Sequence, residues 1–406
     1  MKTFQTHRFV ITKFTFMSAP IICGVLFDAS NHPLEVFARK EKDPSQQFAN
    51  ESVYIGKVQK VLSGQGAFVR LSGDTSGYLP FTPDQKFYFV KKYGKNETLN
   101  CEDEIVVQIK KQPIKTKEMV LSSKPDLHSD HLILLTGTHE ISVSSKLKKS
   151  QKEELKALFS EHFKERRDFG FMIRTNAASV DTAEILNEAD TLYEKYLNFI
   201  NHYSHHSCYE MLIKGQSKLE EMLRPLNFEY TNLITDQTDI YQELTELANT
   251  SLFSQYADKI TFYEDDSYPL YKLYGLETLF TNLTKSIVWL NSGANIIIEQ
   301  TEALTVIDVN SSRQATKKEI QLFDINKEAA KEIALQIKLR NISGIIIVDF
   351  INLDDPADKA ELLSVLRDET RYDSCRVTVL DYTKLGLVEM TREKKYPSLK
   401  EVLTLA

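Results

Sequence analysis

Two short apolar segments that end in aspartate constrain the fold of this chain more than any other feature. Residues 304–308 read LTVID and residues 345–349 read IIIVD, and both are rich in the β-branched residues that favour strands. The segment between them, EIQLFDINKEAAKEIALQIKLRN, carries a helical apolar stripe, and a second helical segment at 357–370 leads into RVTVLDY. This β-α-β-α-β alternation predicts an α/β region with a parallel sheet and right-handed crossovers.

Asp308 and Asp349 occupy the ends of the two predicted strands. Parallel strands place such residues at the carboxyl edge of a sheet, where α/β folds bind their ligands. If the strands are neighbours, a spacing of about 4.8 Å lets the two carboxylates share one cation, and an oxygen-only donor set suits Mg²⁺ or Mn²⁺ rather than zinc. The alternative is that each aspartate caps the next helix or tightens a turn. Topology alone favours this alternative, because strand-end aspartates are common in such folds.

The N-terminal part of the chain reads as short strands separated by turns. The pattern of residues 1–40 predicts a β-hairpin unit, and residues 41–52 are polar and contain a proline, as a connection does. Residues 123–221 and 222–285 mix strand and helix patterns. Between the connection and residue 123, five short strands recur and predict a small barrel of the OB type: VYIGKVQKVL, GAFVRL, SGYLPF, EIVVQIKK and EMVLSS.

Composition excludes several classes of protein. With 406 residues, a hydrophobic fraction of 42% and a charged fraction of 26%, the chain is typical of a globular protein of about two to four domains. The net charge of −7 gives no overall basic footprint, so any contact with nucleic acid must come from local patches. The four cysteines are far apart, which argues against a disulfide framework or a cysteine-rich zinc site and fits a reducing compartment.

Two further features give weaker signals of targeting and metal binding. The apolar stretch 17–27 resembles the core of a signal peptide, but the alternating residues before it favour a strand. No run of about 18 apolar residues predicts a transmembrane helix. The remaining metal-ligating residue types form a cluster whose spacing matches no strong zinc signature: His202, His205, His206 and Cys208.

Long motifs around the two aspartates resemble the ribonuclease E/G family. The segments QTEALTVIDVNSSR (300–313), GIIIVDFINL (344–353) and KLGLVEMTR (384–392) follow the family's order and approximate spacing. The helical segment NKEAAKEIALQIKLRNISG and the upstream VWLNSGANIIIEQ also resemble it, so the likeness covers most of the chain and is strongest after about residue 286. The resemblance implies a Mg²⁺-dependent endoribonuclease, with Mn²⁺ as a possible substitute. It would hydrolyse single-stranded RNA, in rRNA maturation, tRNA processing or mRNA decay, and leave 5′-phosphate and 3′-hydroxyl ends.

The resemblance assigns roles to residues near these motifs. Asp308 and Asp349 match the metal ligands, and Asn310 matches the residue that helps to hold the scissile phosphate. The Asn310 amide could donate to a phosphoryl oxygen as charge builds there, or it could simply form an Asx turn. Arg313 and Arg376 could contact phosphate or form ordinary ion pairs, and both interpretations stay open.

The predicted barrel resembles the S1-type OB-fold module of the same family. Phe68 and Tyr78 match aromatic positions that stack on bases, a mode of binding that tolerates any sequence. Lys111 and Lys117 match basic positions beside that platform. Structural roles remain open for all four, because Phe68 could be a core residue and lysines commonly lie on solvated faces.

Two departures from the family pattern affect regulation and assembly. In FMIRTNAAS, Arg174 matches the forked donor and Thr175 the hydroxyl of a pocket for a 5′-terminal monophosphate. The family usually has glycines just after this pair, where the present chain has Ala177, Ala178 and Ser179. No CPxC-type pair follows the last motif, so a zinc-linked dimer is not expected, although a homo-oligomer could form through other contacts.

We therefore predict an α/β multidomain protein (α+β overall). An RNase H-like part would comprise residues 1–40 and 222–285, and its insertions would be an OB-fold domain at 41–122 and a 5′-sensor segment at 123–221. A DNase I-like α/β catalytic subdomain would occupy 286–406. The expected partner is single-stranded RNA, without membrane or zinc, in the cytoplasm.

Two rivals to this interpretation have other functions. A noncatalytic RNA-binding or scaffold protein that kept the fold would explain the altered sensor loop, but the intact set of Asp308, Asn310 and Asp349 favours an enzyme. A small-molecule α/β enzyme is disfavoured because the chain has no glycine-rich phosphate loop.

Overall fold

The computed structural model describes most of the chain and divides it into two compact units. One unit contains residues 1–42 and 222–406, and the other contains residues 43–221. The structure describes residues 7–41, 48–83, 85–95, 98–112, 118–144, 147–165, 168–224, 231–265, 267–311, 322–371 and 373–404.

Strands and helices alternate along both units. The strands are β1 (His7–Phe16), β2 (Ala19–Phe27), β3 (Pro33–Lys40), β4 (Val53–Leu62), β5 (Gly66–Ser72), β6 (Thr75–Pro80), β7 (Phe89–Lys91), β8 (Glu104–Lys111), β9 (Met119–Ser122), β10 (Leu127–His128), β11 (Leu132–Thr136), β12 (Ile141–Val143), β13 (Phe169–Ile173), β14 (Met211–Ile213), β15 (Thr231–Thr235), β16 (Ile260–Phe262), β17 (Ile287–Trp289), β18 (Asn295–Gln300), β19 (Leu304–Asn310), β20 (Gly344–Asp349), β21 (Val377–Tyr382) and β22 (Val388–Arg392). The α-helices are α1 (Lys149–His162), α2 (Thr182–His202), α3 (Lys218–Leu223), α4 (Thr238–Ala248), α5 (Leu270–Leu273), α6 (Leu276–Thr284), α7 (Leu322–Leu339), α8 (Pro356–Thr370) and α9 (Leu399–Thr404). Among the residues in view, none of these helices is both long and apolar enough to cross a bilayer.

The first unit contains a five-stranded sheet built from distant parts of the chain. Its order is β16-β15-β1-β2-β3, with β15 parallel to β1 and to β16 and the other pairs antiparallel. The stretch 17–27, which resembles a signal-peptide core, forms a two-residue turn and then β2, so the strand interpretation is confirmed. Met17 and Ser18 both have positive φ, as the favoured two-residue hairpin turn requires. The RNase H-like identity of this sheet stays a prediction.

The second sheet of this unit has six strands in the order β17-β18-β19-β20-β22-β21. β19 and β20 are parallel as predicted, but the sheet is mixed. β17, β18 and β19 pair antiparallel in turn, and β22 lies antiparallel between β20 and β21. A tight reversal allows this arrangement: the Thr383 N–H donates to the Leu387 carbonyl at 2.7 Å, and Gly386 has a φ of +87°. Val388 and Met390 then point into the core, which gives β22 the position beside β20.

Helices α7 and α8 pack on one face of the six-stranded sheet only. The core on this side contains Ile307, Val309, Ile346 and Val348 from the two central strands, each at most 5% exposed. Strand residues alternate between faces. The residues between these apolar positions therefore project from the opposite face, which we call the open face.

The second unit contains the predicted barrel. Strands β4, β5, β6, β9 and β8 pair in that order, and β4 also pairs with β8, which closes a five-stranded barrel. These are the five strands predicted from the sequence, and their inward residues form a separate core. The remainder of the unit is a four-stranded sheet, in the order β10-β11-β13-β12, whose core includes residues of α1 and α2.

Candidate active site

The two strand-end aspartates meet on the open face. β19 and β20 are neighbours, and their parallel register places Asp308 directly opposite Asp349. Adjacent strands lie about 4.8 Å apart, so the predicted neighbouring of the two strands is confirmed, while a shared ion stays a prediction. Asp308 is half-buried and Asp349 is exposed, so the pair is accessible to solvent.

Asn310 lies on the same face and fixes the orientation of Asp308. Its Nδ2 donates a hydrogen bond of 2.7 Å to Oδ2 of Asp308. The capping alternative fails for Asp349, because the helix that follows it, α8, is capped by Asp355, whose carboxylate accepts from the Ala357 N–H at 2.8 Å. Asp349 therefore does not cap that helix.

Asn326 is a buried polar residue that sequence reasoning missed. It lies on α7 with no exposure, and its amide forms two hydrogen bonds with the backbone of Ile351: Nδ2 donates to the carbonyl at 2.7 Å, and Oδ1 accepts from the N–H at 3.0 Å. These bonds tie the segment immediately after Asp349 to the helix. The sequence feature that could have identified Asn326 is its place, as a single asparagine, within an otherwise apolar helical stripe.

Of the two arginines that could contact phosphate, the structure describes only Arg376, which lies away from this pair. Arg376 is exposed and precedes β21, where Val377 pairs with Arg392, which in turn pairs with Gly344. Gly344 begins β20 and Asp349 ends it, which corresponds to about 17 Å along a strand. Arg313 lies outside the described residues. A phosphate-binding role for either arginine stays a prediction.

Arg392 is instead a buried anchor of the sheet. Its guanidinium donates from Nε and Nη2 to the two carboxylate oxygens of Asp373, both at 2.9 Å. Nη1 donates to Oδ1 of Asn341 at 2.7 Å and to the Ile342 carbonyl at 3.1 Å. Both side chains of the ion pair are 1% exposed. This bidentate fork joins the end of β22 to the loop that precedes β20.

The donor types on the open face suit Mg²⁺ or Mn²⁺ rather than zinc. The set comprises two carboxylates and one amide, all oxygen donors, on a solvent-accessible surface. Mg²⁺ is commonly held by one or two carboxylates, with waters and substrate phosphates completing its octahedron. Across the described ranges no three His, Cys, Asp or Glu residues form a group able to hold a metal by themselves.

A row of aromatic and basic residues crosses the outer surface of the barrel. Phe68 pairs directly with Tyr78, and their ring centroids lie 5.5 Å apart at 53°. Both are half-buried on the outer face, so Phe68 is not a barrel-core residue. By register the row continues to an exposed lysine at each end: it runs Lys60, Phe68, Tyr78, Val120, Lys111. We call these five residues the barrel row.

Sequence reasoning found Lys111 but missed Lys60. The β4–β5 register shifts between Val58 and Lys60, and this irregularity sets Lys60 opposite Phe68. Tyr78 is held in place by its hydroxyl, which donates to the Gln65 carbonyl at 3.0 Å. Lys117 lies outside the described residues, so its position beside the row remains a prediction.

The segment predicted as a 5′-phosphate sensor ends β13. Nη2 of Arg174 donates to Nδ1 of His128 at 3.1 Å, and the hydroxyls of Thr175 and Ser144 share a hydrogen bond of 2.8 Å. Thr175–Ser179 forms a 3-10 turn, and within it Ala177 is 1% exposed and belongs to the core. The departure from glycine thus contributes to packing.

The histidine cluster does not converge on one site. Nδ1 of His202 lies 2.8 Å from the Asn198 carbonyl, and Nδ1 of His206 lies 2.9 Å from the Glu210 carboxylate. Each ring is thus engaged by a neighbour of its own.

Paired carboxylates on a sheet and aromatic and basic side chains on a barrel are typical of enzymes that act on nucleic acid. The family model described as "Ribonuclease E/G family" matches residues 126–395. Ribonuclease G of Haemophilus influenzae is 30% identical over 370 residues, which cover 87% of this chain and 74% of that protein. Ribonuclease G of Escherichia coli K12 is 29% identical with the same coverage. Ribonuclease E of Buchnera aphidicola is 29% identical over 89% of this chain and 38% of its own length. The chain belongs to the ribonuclease E/G family, and it is an endoribonuclease.

Proposed function

We propose that this enzyme hydrolyses single-stranded RNA with Mg²⁺ bound by Asp308 and Asp349, and that Mn²⁺ can replace Mg²⁺. The products would carry 5′-phosphate and 3′-hydroxyl ends, and the cellular role would be RNA processing. The observation that carries the proposal is the in-register carboxylate pair, with Asn310 bonded to Asp308, on an open sheet face. The family relationship supports the choice of RNA as substrate.

The protein residues have separate parts in this chemistry. When bound, the cation lowers the pKa of water and neutralises phosphate charge. Asp308 and Asp349 hold it, and the bond from Asn310 keeps Asp308 in one orientation. An amide nitrogen carries two hydrogens, so Asn310 has a second N–H with which to donate to a phosphoryl oxygen as negative charge develops there. Water would attack phosphorus as the bond from phosphorus to the ribose 3′ oxygen breaks. The phosphate would then stay on the 5′ end of the downstream fragment, and the protonated 3′ oxygen would be the hydroxyl of the upstream fragment.

The barrel row supports the substrate rather than the reaction. Phe68 and Tyr78 offer ring faces on which successive bases can stack. Lys60 and Lys111 flank these rings and are exposed, as contacts to the phosphate backbone must be. We include Lys117 in the RNA-binding set on the family resemblance alone, and Arg313 and Arg376 because a guanidinium suits phosphate.

A second part of the proposal concerns a pocket for the 5′ end of the RNA. Arg174 and Thr175 would bind a 5′-terminal monophosphate, which requires the phosphate to replace or join their present contacts with His128 and Ser144. Arg174→Ala should then abolish any preference for 5′-monophosphate over 5′-hydroxyl RNA, measured as the ratio of cleavage rates on otherwise identical substrates. An unchanged ratio would remove the sensor from the proposal.

A cleavage assay with matched carboxylate variants tests the central proposal. Wild type should cut 5′-monophosphorylated single-stranded RNA only with Mg²⁺ or Mn²⁺, and ligation of the products should show 5′-phosphate ends. Asp308→Asn and Asp349→Asn should each lower kcat by at least about 100-fold. Asp368→Asn, an exposed aspartate on α8, should have no effect.

Two outcomes would contradict the proposal. Cleavage by wild type without any divalent ion would exclude the metal mechanism. RNA binding by wild type without cleavage in Mg²⁺ would support the alternative function, a noncatalytic RNA-binding or scaffold protein.

A further inference from the structure

Trp289 is the only tryptophan in the chain, and 69% of its surface is exposed. Tryptophan is highly buried on average, because its large ring gains more from burial than most side chains. A rigid indole that stands on a strand and faces solvent is therefore a costly arrangement for folding alone. This suggests that the ring contacts something other than the chain itself.

Strand register places Trp289 beside the carboxylate pair. Trp289 pairs with Asn295, and Asn295 pairs with Asn310. Residues directly opposite one another in a sheet project from the same face, so the indole shares the open face with Asp308 and Asp349. Two strand spacings separate the Trp289 and Asn310 backbones, which is about 10 Å. That distance is comparable to the reach from a phosphate group to the base of its own or the next nucleotide.

The hairpin that carries Trp289 is held in place by contacts with the core beneath the sheet and with α7. The flanking residues Val288 and Leu290 both pack into the core under the sheet. The carboxylate of Glu328 on α7 accepts from the N–H groups of Asn291 at 2.7 Å and of Ser292 at 3.3 Å. The turn between β17 and β18 is thus tied to the helix. The indole is presented on a preorganised support, which lowers the entropic cost of binding.

We propose that Trp289 stacks on an unpaired base next to the scissile phosphate and so positions single-stranded RNA on the catalytic sheet. The proposal rests on the assignment of Asp308 and Asp349 as the active centre. A base fits this place because its apolar face suits the indole while its polar edge stays in water. The open face also exposes Val306 and Ile345 on the strands of the two aspartates, so the platform is continuous with the site. Trp289 is a positioning residue, and the reacting atoms lie with the aspartates.

Steady-state kinetics with a matched substrate test this. Trp289→Ala should lower kcat/KM for single-stranded RNA about 5- to 100-fold, as expected for one lost stacking contact, whereas Trp289→Phe should retain most of the activity. Leu385→Ala is the control, because Leu385 is 86% exposed in the turn between β21 and β22 of the same sheet. On RNA with an abasic nucleotide at the stacked position, wild type and Trp289→Ala should cut at equal rates.

Fluorescence gives a readout that does not depend on turnover. Because Trp289 is the sole tryptophan, single-stranded RNA should quench its emission in the Asp349→Asn variant, and an RNA hairpin without free bases should not. Equal activity of Trp289→Ala and wild type, or the same loss on intact and abasic RNA, would overturn the proposal. A change in molar mass on Trp289→Ala would overturn it as well, because the indole would then hold a second copy of the chain. If Asp308→Asn still cuts, the proposed function fails instead.

Discussion

The six-stranded sheet and the barrel present their exposed side chains in the same way, but the charges of those side chains are opposite. Each displays candidate functional side chains at in-register positions of neighbouring strands, on a face that its own core leaves uncovered. The sheet presents carboxylates, which attract a cation and repel RNA. The barrel row presents aromatic rings between two lysines, which attract RNA. The chain can therefore carry a net charge of −7 and still act on a polyanion, since the two kinds of surface belong to different units.

The sheet surface is braced at both ends of its central strand β20. The end of β20 is braced by the buried amide of Asn326, and the far end of the same strand is fixed through Arg392 and Asp373. Catalysis requires such fixed geometry, while stacking tolerates small displacements. Changes in the sheet should therefore affect kcat or folding, and changes in the barrel row should affect KM.

The largest expected effect is the loss of the buried ion pair in the first unit. Arg392→Met leaves the Asp373 carboxylate buried without its partner, which should lower the free energy of unfolding by about 3–5 kcal/mol. Trp289 lies in the same unit and is the only tryptophan, so its fluorescence in a denaturant titration reports this unit. A midpoint equal to that of wild type would show that the fork contributes nothing to stability.

The barrel offers a matched comparison in Lys92→Met. The side chain of Lys92 donates to the buried Asp103 at 2.6 Å but is 24% exposed, and Asp103 also accepts from the N–H groups of Tyr93 and Asn100. Burial opposes ionisation of Asp103, yet these bonds lower its pKa below the ordinary value. The stabilisation is therefore present above the ordinary pKa and lost as pH falls through the lowered one. We expect about 1–3 kcal/mol at neutral pH, measured by hydrogen exchange of barrel amides.

Removal of the Asn310 amide should rank next. Asn310→Ala eliminates the bond to Asp308 and the donor to the phosphate, so kcat should fall about 100- to 1000-fold while RNA affinity changes little. Asn295→Ala is the matched control, because Asn295 is the same residue type in the paired position of the adjacent strand. Equal losses from both variants would mean that the effect comes from the sheet surface in general. Single-turnover rates separate this from substrate binding.

The sequence predicted the sheet's centre well and its edge poorly, for a physical reason. LTVID and IIIVD each carry their strand signal locally, and the helix between them requires a parallel pair, so the meeting of Asp308 and Asp349 follows from topology. The place of β22 does not, because any of several strands could pair with β20, and packing of Val388 and Met390 decides between them.

In the barrel, the position of a single residue, Lys60, could not be predicted from the sequence. Phe68 and Tyr78 were identified as aromatic candidates by the family resemblance. Lys60 was not identified, because one irregular residue in β4 changes which side chain faces Phe68, and no residue type in the sequence marks that shift. Side-chain period predicts faces only where the register is regular.

Loss of one ring from the barrel row should have a moderate effect on binding alone. Phe68→Leu or Tyr78→Leu should raise KM about 5- to 100-fold with kcat unchanged, since each stacked base contributes about 1–3 kcal/mol. Tyr93→Leu is the control, because Tyr93 is an exposed aromatic residue of the same unit outside the row. A fall in kcat instead of a rise in KM would contradict the assignment of RNA binding to the barrel row and of catalysis to the sheet.

The smallest expected effect is on the salt dependence of RNA binding. It distinguishes a lysine that contacts phosphate from a lysine whose charge is already paired with a carboxylate. Lys60→Gln should reduce the slope of log affinity against log salt by about 0.7, the value for one phosphate contact on a single strand. Lys57→Gln is a close control: Lys57 lies on the same strand, but its Nζ donates to the Glu102 carboxylate at 2.9 Å. Its charge is already matched, so the slope should not change. If both variants shift the slope equally, the response reflects net charge of the unit and not the barrel row, and the contrast between a recognition surface on the barrel and a catalytic surface on the sheet loses its strongest electrostatic support.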